Sequence, residues 1–302
     1  AGITAPVLSW LEPPDVDYAA GIAADVDLSA SSRGELARIA AAAERAGKRA
    51  RVHLKIDTGL SRNGCPKDEW PWLCADAAAA DDVEVVAIWS HLACADEPGH
   101  PSIDEQGKRF DAAYQVARAA GLDPKRHIAN SAATLTRPDL HYDMVRTGIA
   151  IYGLNPVGTD DDLRPAMTFR SAVALVKRIE AGESVSYGHT WTAATDTFLA
   201  LVPVGYADGV PRSLSGRLDV WLDGQRRPVV GRVCMDQIVV DCGDHQPELG
   251  AEVVLFSDGR AGEPTAREWA DTLGTIDYEI VTGMYRPRVV RRYVGSGTGD
   301  AV

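Results

Sequence analysis

The sequence lacks three features that mark large classes of protein: long apolar runs, paired cysteines and an excess of positive charge. No apolar run approaches the roughly 18 residues of a membrane helix, and we expect no signal peptide at the start of this sequence. The five cysteines are an odd number without a CxxC spacing, which favours a reducing cytosol over a disulfide framework. With 31 Lys and Arg against 43 Asp and Glu, the net charge of −12 argues against nucleic acid or a membrane surface as the main partner.

The first half of the 302-residue chain alternates strand-like and helix-like stretches. Such alternation is typical of βαβ units and a parallel sheet. A (β/α)₈ barrel needs about 250 residues, whereas about 160 are present here, so we expect a smaller α/β sheet or an incomplete barrel. The predicted helices are Ser32–Ala46, with Leu36, Ile39 and Ala43 on one face, and Ser102–Ala120. The predicted strands are Pro6–Leu11, Val26–Ser29, Arg51–Asp57, Val83–Ser90, Arg126–Asn130 and Met144–Ile149.

The second half reads as a mostly β domain, so we predict one domain over residues 1–160 and another over 161–302. A Gly- and Asp-rich link, Val157–Asp162, joins them, and only Thr265–Leu273 reads as a helix. The tail Gly295–Val302 is expected to be disordered. The predicted strands are Ser171–Val176, Phe198–Val204, Leu218–Trp221, Pro228–Val233, Ile238–Asp241 and Val253–Phe256.

Polar residues follow four of the six strands predicted in the first half. The third strand carries Lys55, the fourth ends at Ser90-His91, the fifth ends at Asn130-Ser131, and the sixth carries Arg146. In a parallel barrel, polar groups at the carboxyl ends of strands indicate a site, although each could merely cap a helix or turn. His53 and His91 have no neighbouring Cys, His or Asp at ligand spacing, so we expect no metal site.

Two further segments are weaker indications of a site. Gly148 after Arg146, and Ser131 at the start of a short helix, suit anion binding, because backbone N–H groups there can surround a phosphate. Tyr187 stands in a Gly-flanked turn and could be a catalytic base or simply a half-buried aromatic side chain.

Taken together, these segments resemble the alanine racemases, bacterial enzymes that use pyridoxal 5′-phosphate (PLP). They run in the family's order from about residue 1 to 293. The matching segments are HLKIDTGLSRNG, WSHLACADE, HIANSAATL, MVRTGIAIYGLNP, PAMTFRSAVALV, GESVSYGHTW, VPVGYADGVPRSLSG, VGRVCMDQIVVD and TIDYEIVTG.

The resemblance implies a PLP-binding (β/α)₈-type barrel followed by a β domain, in a cytoplasmic head-to-tail homodimer that makes D-alanine for peptidoglycan. L-alanine and D-alanine would interconvert through a PLP aldimine by two-base proton transfer. One base would be a lysine of the first barrel strand and the other a tyrosine from the partner subunit.

Residue by residue, the resemblance assigns a role to each matching position. Tyr187 corresponds to the tyrosine base, His91 to the residue behind it, and Arg146 to the guanidinium that faces the pyridine nitrogen. Lys55 matches a lysine that is often carbamylated and that holds Arg62 in place. Arg62 would contact both the cofactor and the substrate carboxylate, and the substrate side would also include Met235 and Asp236. The phosphate would be held by Asn130, Ser131, Gly148, Ile149 and Tyr278.

The physical chemistry of these roles is consistent. A guanidinium opposite the pyridine nitrogen disfavours protonation of the ring, which limits side reactions such as transamination. A tyrosine has an ordinary pKa near 10, so a base role needs nearby cations that favour the phenolate. Arg146 acting through His91 would supply that bias.

One family motif is absent from the sequence, the V-K-A-x-A-Y-G-H-G segment that carries the PLP lysine. Residue 1 is Ala rather than Met, so we expect the sequence to begin partway into a longer polypeptide, after two βα units and that lysine. Two alternatives stay open at this point. The chain could be a non-catalytic fragment or homologue that serves as an assembly partner, or a racemase for another small amino acid such as serine.

Overall fold

The computed structural model describes residues 2–158 and 162–295, which form two compact units. The first unit comprises the chain up to Ile151 and residues 155–161, and the second comprises Tyr152–Leu154 and the chain from Asp162 onward. The predicted domain boundary at residue 160 falls outside the described residues, as do the tail beyond Gly295 and part of the predicted link.

A parallel sheet of five strands forms the centre of the first unit, and its strands are adjacent in chain order. Five of the six predicted strands are therefore confirmed, and the sheet makes a half-barrel. The finer expectation, a barrel short of two βα units, is not confirmed. The strands are β1 (Val7–Ser9), β2 (Val26–Ala30), β3 (Ala50–Lys55), β4 (Val83–Trp89) and β5 (Lys125–His127).

The sixth predicted strand, Met144–Ile149, is wrong. Only Arg146 pairs here, through a single parallel bridge with Asn130 in which its N–H donates to the carbonyl of Ala129 at 2.9 Å. Turns on both sides of Arg146 prevent a longer ladder. The bridge nevertheless holds the Arg146 backbone beside the end of β5.

Helices cover this sheet, and their buried faces form the core of the unit with the strands. The predicted helix Ser32–Ala46 is confirmed one residue shorter: Ser32 caps it by accepting from the N–H of Glu35 at 3.1 Å. Leu36, Ile39 and Ala43 are buried, as the spacing predicts. The helices are α1 (Tyr18–Ala23), α2 (Arg33–Ala46), α3 (Trp70–Ala79), α4 (Pro101–Ala119) and α5 (Ser131–Thr136).

Helix α4 begins earlier than predicted, because Ser102 is not its cap. The Nδ1 atom of His100 accepts from the N–H of Ser102 at 3.2 Å, and Pro101 occupies the first helical position. Proline is favoured there, since that position's N–H would lack a helical partner in any case.

The second unit contains a seven-stranded antiparallel sheet and a separate two-stranded hairpin, which confirms a mostly β second half. The strands are β6 (Phe169–Ala172), β7 (Leu175–Ile179), β8 (Ser184–Val185), β9 (Trp191–Thr192), β10 (Thr197–Val202), β11 (Asp219–Leu222), β12 (Gln225–Val230), β13 (Ile238–Asp241) and β14 (Glu252–Phe256). The order of strands in the sheet is β6-β14-β11-β12-β13-β10-β7, and β8 pairs with β9 in the hairpin.

The single strand predicted at Ser171–Val176 is wrong, because the chain changes partner in its middle. The N–H of Val173 donates to the carbonyl of Ala251, and the next N–H, of Ala174, donates to Leu201, both at 2.9 Å. The segment therefore supplies both edge strands of the sheet, β6 and β7.

Two α-helices pack in the described part of this unit, where the sequence predicted one. The predicted helix is α6 (Ala266–Leu273), which Thr265 and Glu268 close with a capping box. The missed helix is α7 (Asp277–Gly283), which has no side-chain cap and is rich in β-branched residues of modest helix propensity. Burial of Ile280 stabilises it against that propensity. None of the helices in residues 2–158 and 162–295 has both the length and the apolar character needed to cross a bilayer.

Candidate active site

Three polar or aromatic side chains form a row across neighbouring strands of the half-barrel. Lys55, Trp89 and His127 end β3, β4 and β5 and pair in register with one another. The ammonium group of Lys55 lies 4.1 Å from the centroid of the Trp89 ring. The His127 ring stacks on Trp89 with centroids 5.6 Å apart and an interplanar angle of 9°. The row places a buried cation and a buried imidazole on one face of the sheet.

The segment after β3 forms a tight loop that returns to the strand from which it leaves. The N–H of Cys65 donates to the carbonyl of Lys55 at 2.8 Å, and the N–H of Asp57 donates to the carbonyl of Cys65 at 3.0 Å. Gly64, at a φ of 114°, allows this return, because a Cβ there would lie 2.8 Å from the nitrogen of Asp57. The loop carries Asn63, whose Oδ1 accepts from Lys55, and next to it the exposed Arg62.

The guanidinium of Arg146 lies among acceptors that carry no charge. Its Nη1 donates to Nδ1 of His127 at 2.8 Å. Its Nη2 donates to the carbonyls of Ser90 at 2.7 Å and Ile128 at 3.1 Å, and lies 3.3 Å from Nδ1 of His91. Within the described part of the chain, neither a carboxylate nor any acceptor for its Nε–H is present. A partly buried cation with a free N–H suits an acceptor that a ligand brings.

Both imidazoles beside Arg146 are held neutral. Burial, with the charge of Arg146, lowers the pKa of His91 to about 4 and that of His127 to about 2. A guanidinium can only donate, so the Nδ1 atom of each ring must accept. The hydrogen of each neutral ring is therefore on Nε2. For His91 this leaves an outward donor that a phenolic or carboxylate oxygen can use.

Lys55 is 2% exposed and has no carboxylate partner among residues 2–158. Burial, followed by the charges of Arg62 and Arg146, lowers its pKa to about 8. About a tenth of the amine is thus uncharged at pH 7, and this form can act as a nucleophile.

A small set of donors gathers where α5 begins. The buried hydroxyl of Ser131 accepts from the N–H of Ala150 at 3.2 Å, which brings the turn at Gly148 and Ile149 against the helix start. Neither of these turn residues has a hydrogen-bonded N–H within the described residues. Asn130 is used as the helix cap and accepts from the N–H of Ala133 at 3.1 Å. The hydroxyl and the free N–H groups are the donors that a phosphate needs.

Tyr187 belongs to the second unit and stands on a strained turn. Ser186 before it has a φ of 65° and His189 after it has a φ of 46°, values that residues other than glycine rarely adopt. The hydroxyl of Ser186 donates to the carbonyl of Arg232 at 2.8 Å and holds the turn in place. The Tyr187 side chain is 72% exposed, so its phenol is available to another molecule.

An open groove of about 590 Å³ lies beside this turn, within the second unit. Met235 and Asp236 line it together with Tyr187. Nη2 of Arg288 lies 2.6 Å from Oδ1 of Asp236 and 3.0 Å from Oδ1 of Asp208, so Arg288 holds the carboxylate of Asp236 in place. Tyr278 lies in α7 of the same unit, partly buried.

The structure therefore brings together the predicted residues of the first unit, and separately brings together Tyr187, Met235 and Asp236. Sequence reasoning assigned no role to Trp89 or Asn63, although their spacing from His91 and Lys55 could have indicated them. Within the described ranges, no group of three or more His, Cys, Asp or Glu side chains could hold a metal ion.

Comparison with known proteins places this geometry in a family. The family model described as alanine racemase, N-terminal domain, matches residues 1–156, and the model of the C-terminal domain matches residues 166–293. The alanine racemase of Salinispora arenicola is 54% identical over 299 residues, which is 97% of this chain and 80% of that protein. That of Mycobacterium leprae is 52% identical over 307 residues, 99% of this chain and 79% of that protein.

The solved structures agree with these matches. The crystal structure of alanine racemase from Streptomyces lavendulae superposes with a TM-score of 0.94 at 49% identity, covering 97% of this chain and 79% of that one. These comparisons do not favour the alternatives of a non-catalytic homologue or a serine racemase. They do not confirm the expectation that the PLP lysine stands outside this chain. The chain belongs to the alanine racemase family, whose members are PLP-dependent isomerases.

Proposed function

We propose that the residues gathered in the first unit hold PLP and alanine, and that Tyr187 of a second protomer exchanges the proton on Cα. The observation that carries this proposal is the set of hydrogen bonds around Arg146, because no carboxylate among the described residues neutralises the charge of that guanidinium. The free Nε–H of Arg146 suits the pyridine nitrogen of PLP. The donors at Ser131, Gly148 and Ile149 suit the phosphate at the other end of the cofactor.

When bound, PLP supplies the electron-withdrawing ring that makes the Cα–H of alanine acidic. Arg146 limits how strongly the ring withdraws electrons. Its pKa, lowered by burial to about 10, still leaves it charged at neutral pH. A charged donor does not transfer its proton to the ring nitrogen, so the ring remains a weaker acceptor of electrons and transamination is disfavoured.

The proton-transferring role of Tyr187 depends on His91. Since Nδ1 of His91 accepts from Arg146, its Nε2–H is the donor left for the phenol oxygen. A hydrogen bond from a donor polarised by a guanidinium favours the phenolate, which is the form that can remove a proton from Cα. Met235 and Asp236, beside Tyr187 in the groove, would then border the substrate.

In this proposal, Lys55 positions Arg62, and Arg62 binds the substrate. The uncharged amine of Lys55 would attack carbon dioxide and lose a proton, which gives a carbamate anion. That anion would lie close to the positive charges of Arg62 and Arg146, both of which act on Lys55. It would hold Arg62 toward the carboxylate of alanine and the phenolic oxygen of PLP.

We also propose a homodimer, because the phenol proposed as a base is exposed on its own protomer. Met235 next to it is 53% exposed, an apolar side chain that a second copy of the chain could cover. Tyr278 is proposed as a further phosphate contact. A cytoplasmic location stays our proposal as well, supported by five free cysteines.

Subunit complementation tests the shared site in the intact enzyme. Tyr187→Phe and Arg146→Ala protomers are each expected to be inactive alone. Random pairing of an equal mixture should restore about a quarter of wild-type racemisation, because half of the dimers are mixed and each of those has one complete site. Racemisation is followed by circular dichroism of alanine, and assembly by analytical ultracentrifugation.

Tyr285→Phe is the matched control, since Tyr285 is 74% exposed in the same unit and lies outside the groove. It should keep wild-type activity. A mixture of the two inactive variants that stays inactive, although mixed dimers form, would contradict the proposed site. Exchange of Cα deuterium gives a second measure: Tyr187→Phe should lose exchange for one enantiomer far more than for the other.

A further inference from the structure

A continuous chain of buried polar groups runs from Arg146 across the half-barrel to β2. Nε2 of His127 lies 2.9 Å from Nδ1 of His53, and Nε2 of His53 lies 3.2 Å from Oδ2 of Asp27. Asp27 and His53 are each 3% exposed and His127 is fully buried. Together with the bond from Arg146 to His127, these contacts link four residues from separate segments of the first unit.

Only one arrangement of hydrogens satisfies this chain. Arg146 can only donate, so Nδ1 of His127 accepts and its Nε2 carries the hydrogen. That hydrogen points to Nδ1 of His53, which must accept in turn, so Nε2 of His53 carries its hydrogen and donates to Asp27. If either imidazole carried its hydrogen on Nδ1 instead of Nε2, two donors would face each other and their hydrogens would clash.

The far end of the chain is anchored by a charge. Nε of Arg51 donates to Oδ1 of Asp27 at 2.7 Å, and its Nη2 donates to Oδ2 at 3.2 Å. Nη1 of Arg51 also lies 3.3 Å from Oε1 of Glu84. The carboxylate of Asp27 is thereby held as an acceptor, and an acceptor at this end requires each imidazole to donate toward it.

We propose that Asp27 and His53 are positioning residues for Arg146: they set the tautomer of His127, so that its Nδ1 keeps accepting from the guanidinium and holds it in a single orientation. This rests on the proposed role of Arg146 at the cofactor. Buried networks of this kind are sensitive to the loss of one member, because the donor and the acceptor next to it then lack a partner. Neither residue needs to touch substrate or cofactor for this purpose.

The tautomers can be observed directly in the wild-type enzyme. ¹⁵N NMR of histidine-labelled protein should show a protonated Nε2 and an unprotonated Nδ1 on both His53 and His127, with signals assigned by single His→Gln substitutions. A protonated Nδ1 on either ring would overturn the proposal.

Two substitutions of His53 separate positioning from simple packing. Glutamine can both accept and donate, so His53→Gln should retain activity within about threefold and keep the His127 tautomer. Leucine can do neither, so His53→Leu should lower kcat, per folded molecule, about 10- to 100-fold and give His127 mixed tautomers. Asp27→Asn should lower kcat by less than His53→Leu does, because its amide oxygen can still accept from His53 while its NH₂ group loses a bond with Arg51. Asp76→Asn is the matched control, because Asp76 pairs with Arg33 at the surface, and it should leave kcat unchanged.

Arg146→Gln, measured in parallel, distinguishes two kinds of failure. If it keeps wild-type kcat, the proposed function of Arg146 fails, and with it the purpose assigned to Asp27 and His53. If it is impaired while His53→Leu, properly folded, keeps wild-type kcat and a single His127 tautomer, this inference alone is overturned.

Discussion

Lys55 and Trp89 are in-register neighbours on adjacent parallel strands, and the ammonium group of the lysine lies 4.1 Å from the indole centroid. The contact buries the amine without giving it a counter-charge. Burial and the two nearby arginines therefore lower its pKa to about 8.

This pKa predicts that Lys55 reacts with carbon dioxide under mild conditions. With ¹³C-labelled bicarbonate at about pH 8, where the amine is roughly half uncharged, the enzyme should show a carbamate carbon signal in its ¹³C NMR spectrum. Lys55→Gln should lose that signal, whereas Lys108→Gln, on an exposed face of α4, should keep it. A wild-type spectrum without the signal would contradict carbamylation.

Arg146 is expected to control which reaction follows the removal of the Cα proton. Arg146→Gln replaces the charged donor by a neutral one, so the ring nitrogen can be protonated and the ring accepts electrons more strongly. Racemisation should fall at least about tenfold, and pyruvate formed per racemisation should rise. Pyruvate is measured by a coupled lactate dehydrogenase assay. An unchanged ratio would count against the assignment, and Arg33→Gln at an exposed ion pair provides the control.

The orientation of Tyr187 should depend on Gly231. Gly231 has a φ of 72°, and a Cβ there would lie 2.7 Å from both the Cβ of Ser186 and the carbonyl oxygen of Val185. Gly231→Ala should therefore displace the turn that carries Tyr187 and lower kcat about 10- to 100-fold. Gly224 has a φ of 76° with nothing within 4 Å, so Gly224→Ala imposes a similar backbone strain without the displacement. Equal kcat values for the two variants would refute the prediction.

The buried imidazoles should make the enzyme less stable in acid. The folded pKa of His127, about 2, lies below its ordinary value near 6.5, so the unfolded state binds more protons between these values. The free energy of unfolding therefore rises with pH in this window and decreases as the pH falls below about 6.5. It can be measured by urea unfolding at several pH values between about 5 and 6. His127→Gln should reduce the slope of the unfolding free energy against pH by up to about 1.4 kcal/mol per pH unit. Identical slopes would show that His127 does not titrate in this way.

Much of the architecture could be predicted because it depends on local pattern. The helix at Ser32–Ala46 follows from a cap and a periodic apolar face, and the strand that ends at Lys55 carries Val52 and Leu54 at alternate positions. Failures occurred where partners distant in sequence decided the outcome. The strand predicted around Val173 splits because its two neighbouring N–H groups meet different strands, and α7 forms because Ile280 is buried.

The candidate site shows the same division. Motifs in the sequence identified Tyr187, Arg62, Arg146 and Lys55 through resemblance to a family. The hydrogen-bond chain that links Asp27 and His53 to Arg146 through His127 could not be predicted, because it joins segments up to about 120 residues apart and depends on strand register.

By itself, the sequence determined which chemical groups are present and which local elements form, because caps, turns and hydrophobic periodicity act over a few residues. Tertiary structure alone decided which ring nitrogen carries each hydrogen and how deeply the Lys55 amine is buried. Both of these depend on distances and on the local dielectric, which arise only when separate strands pack side by side.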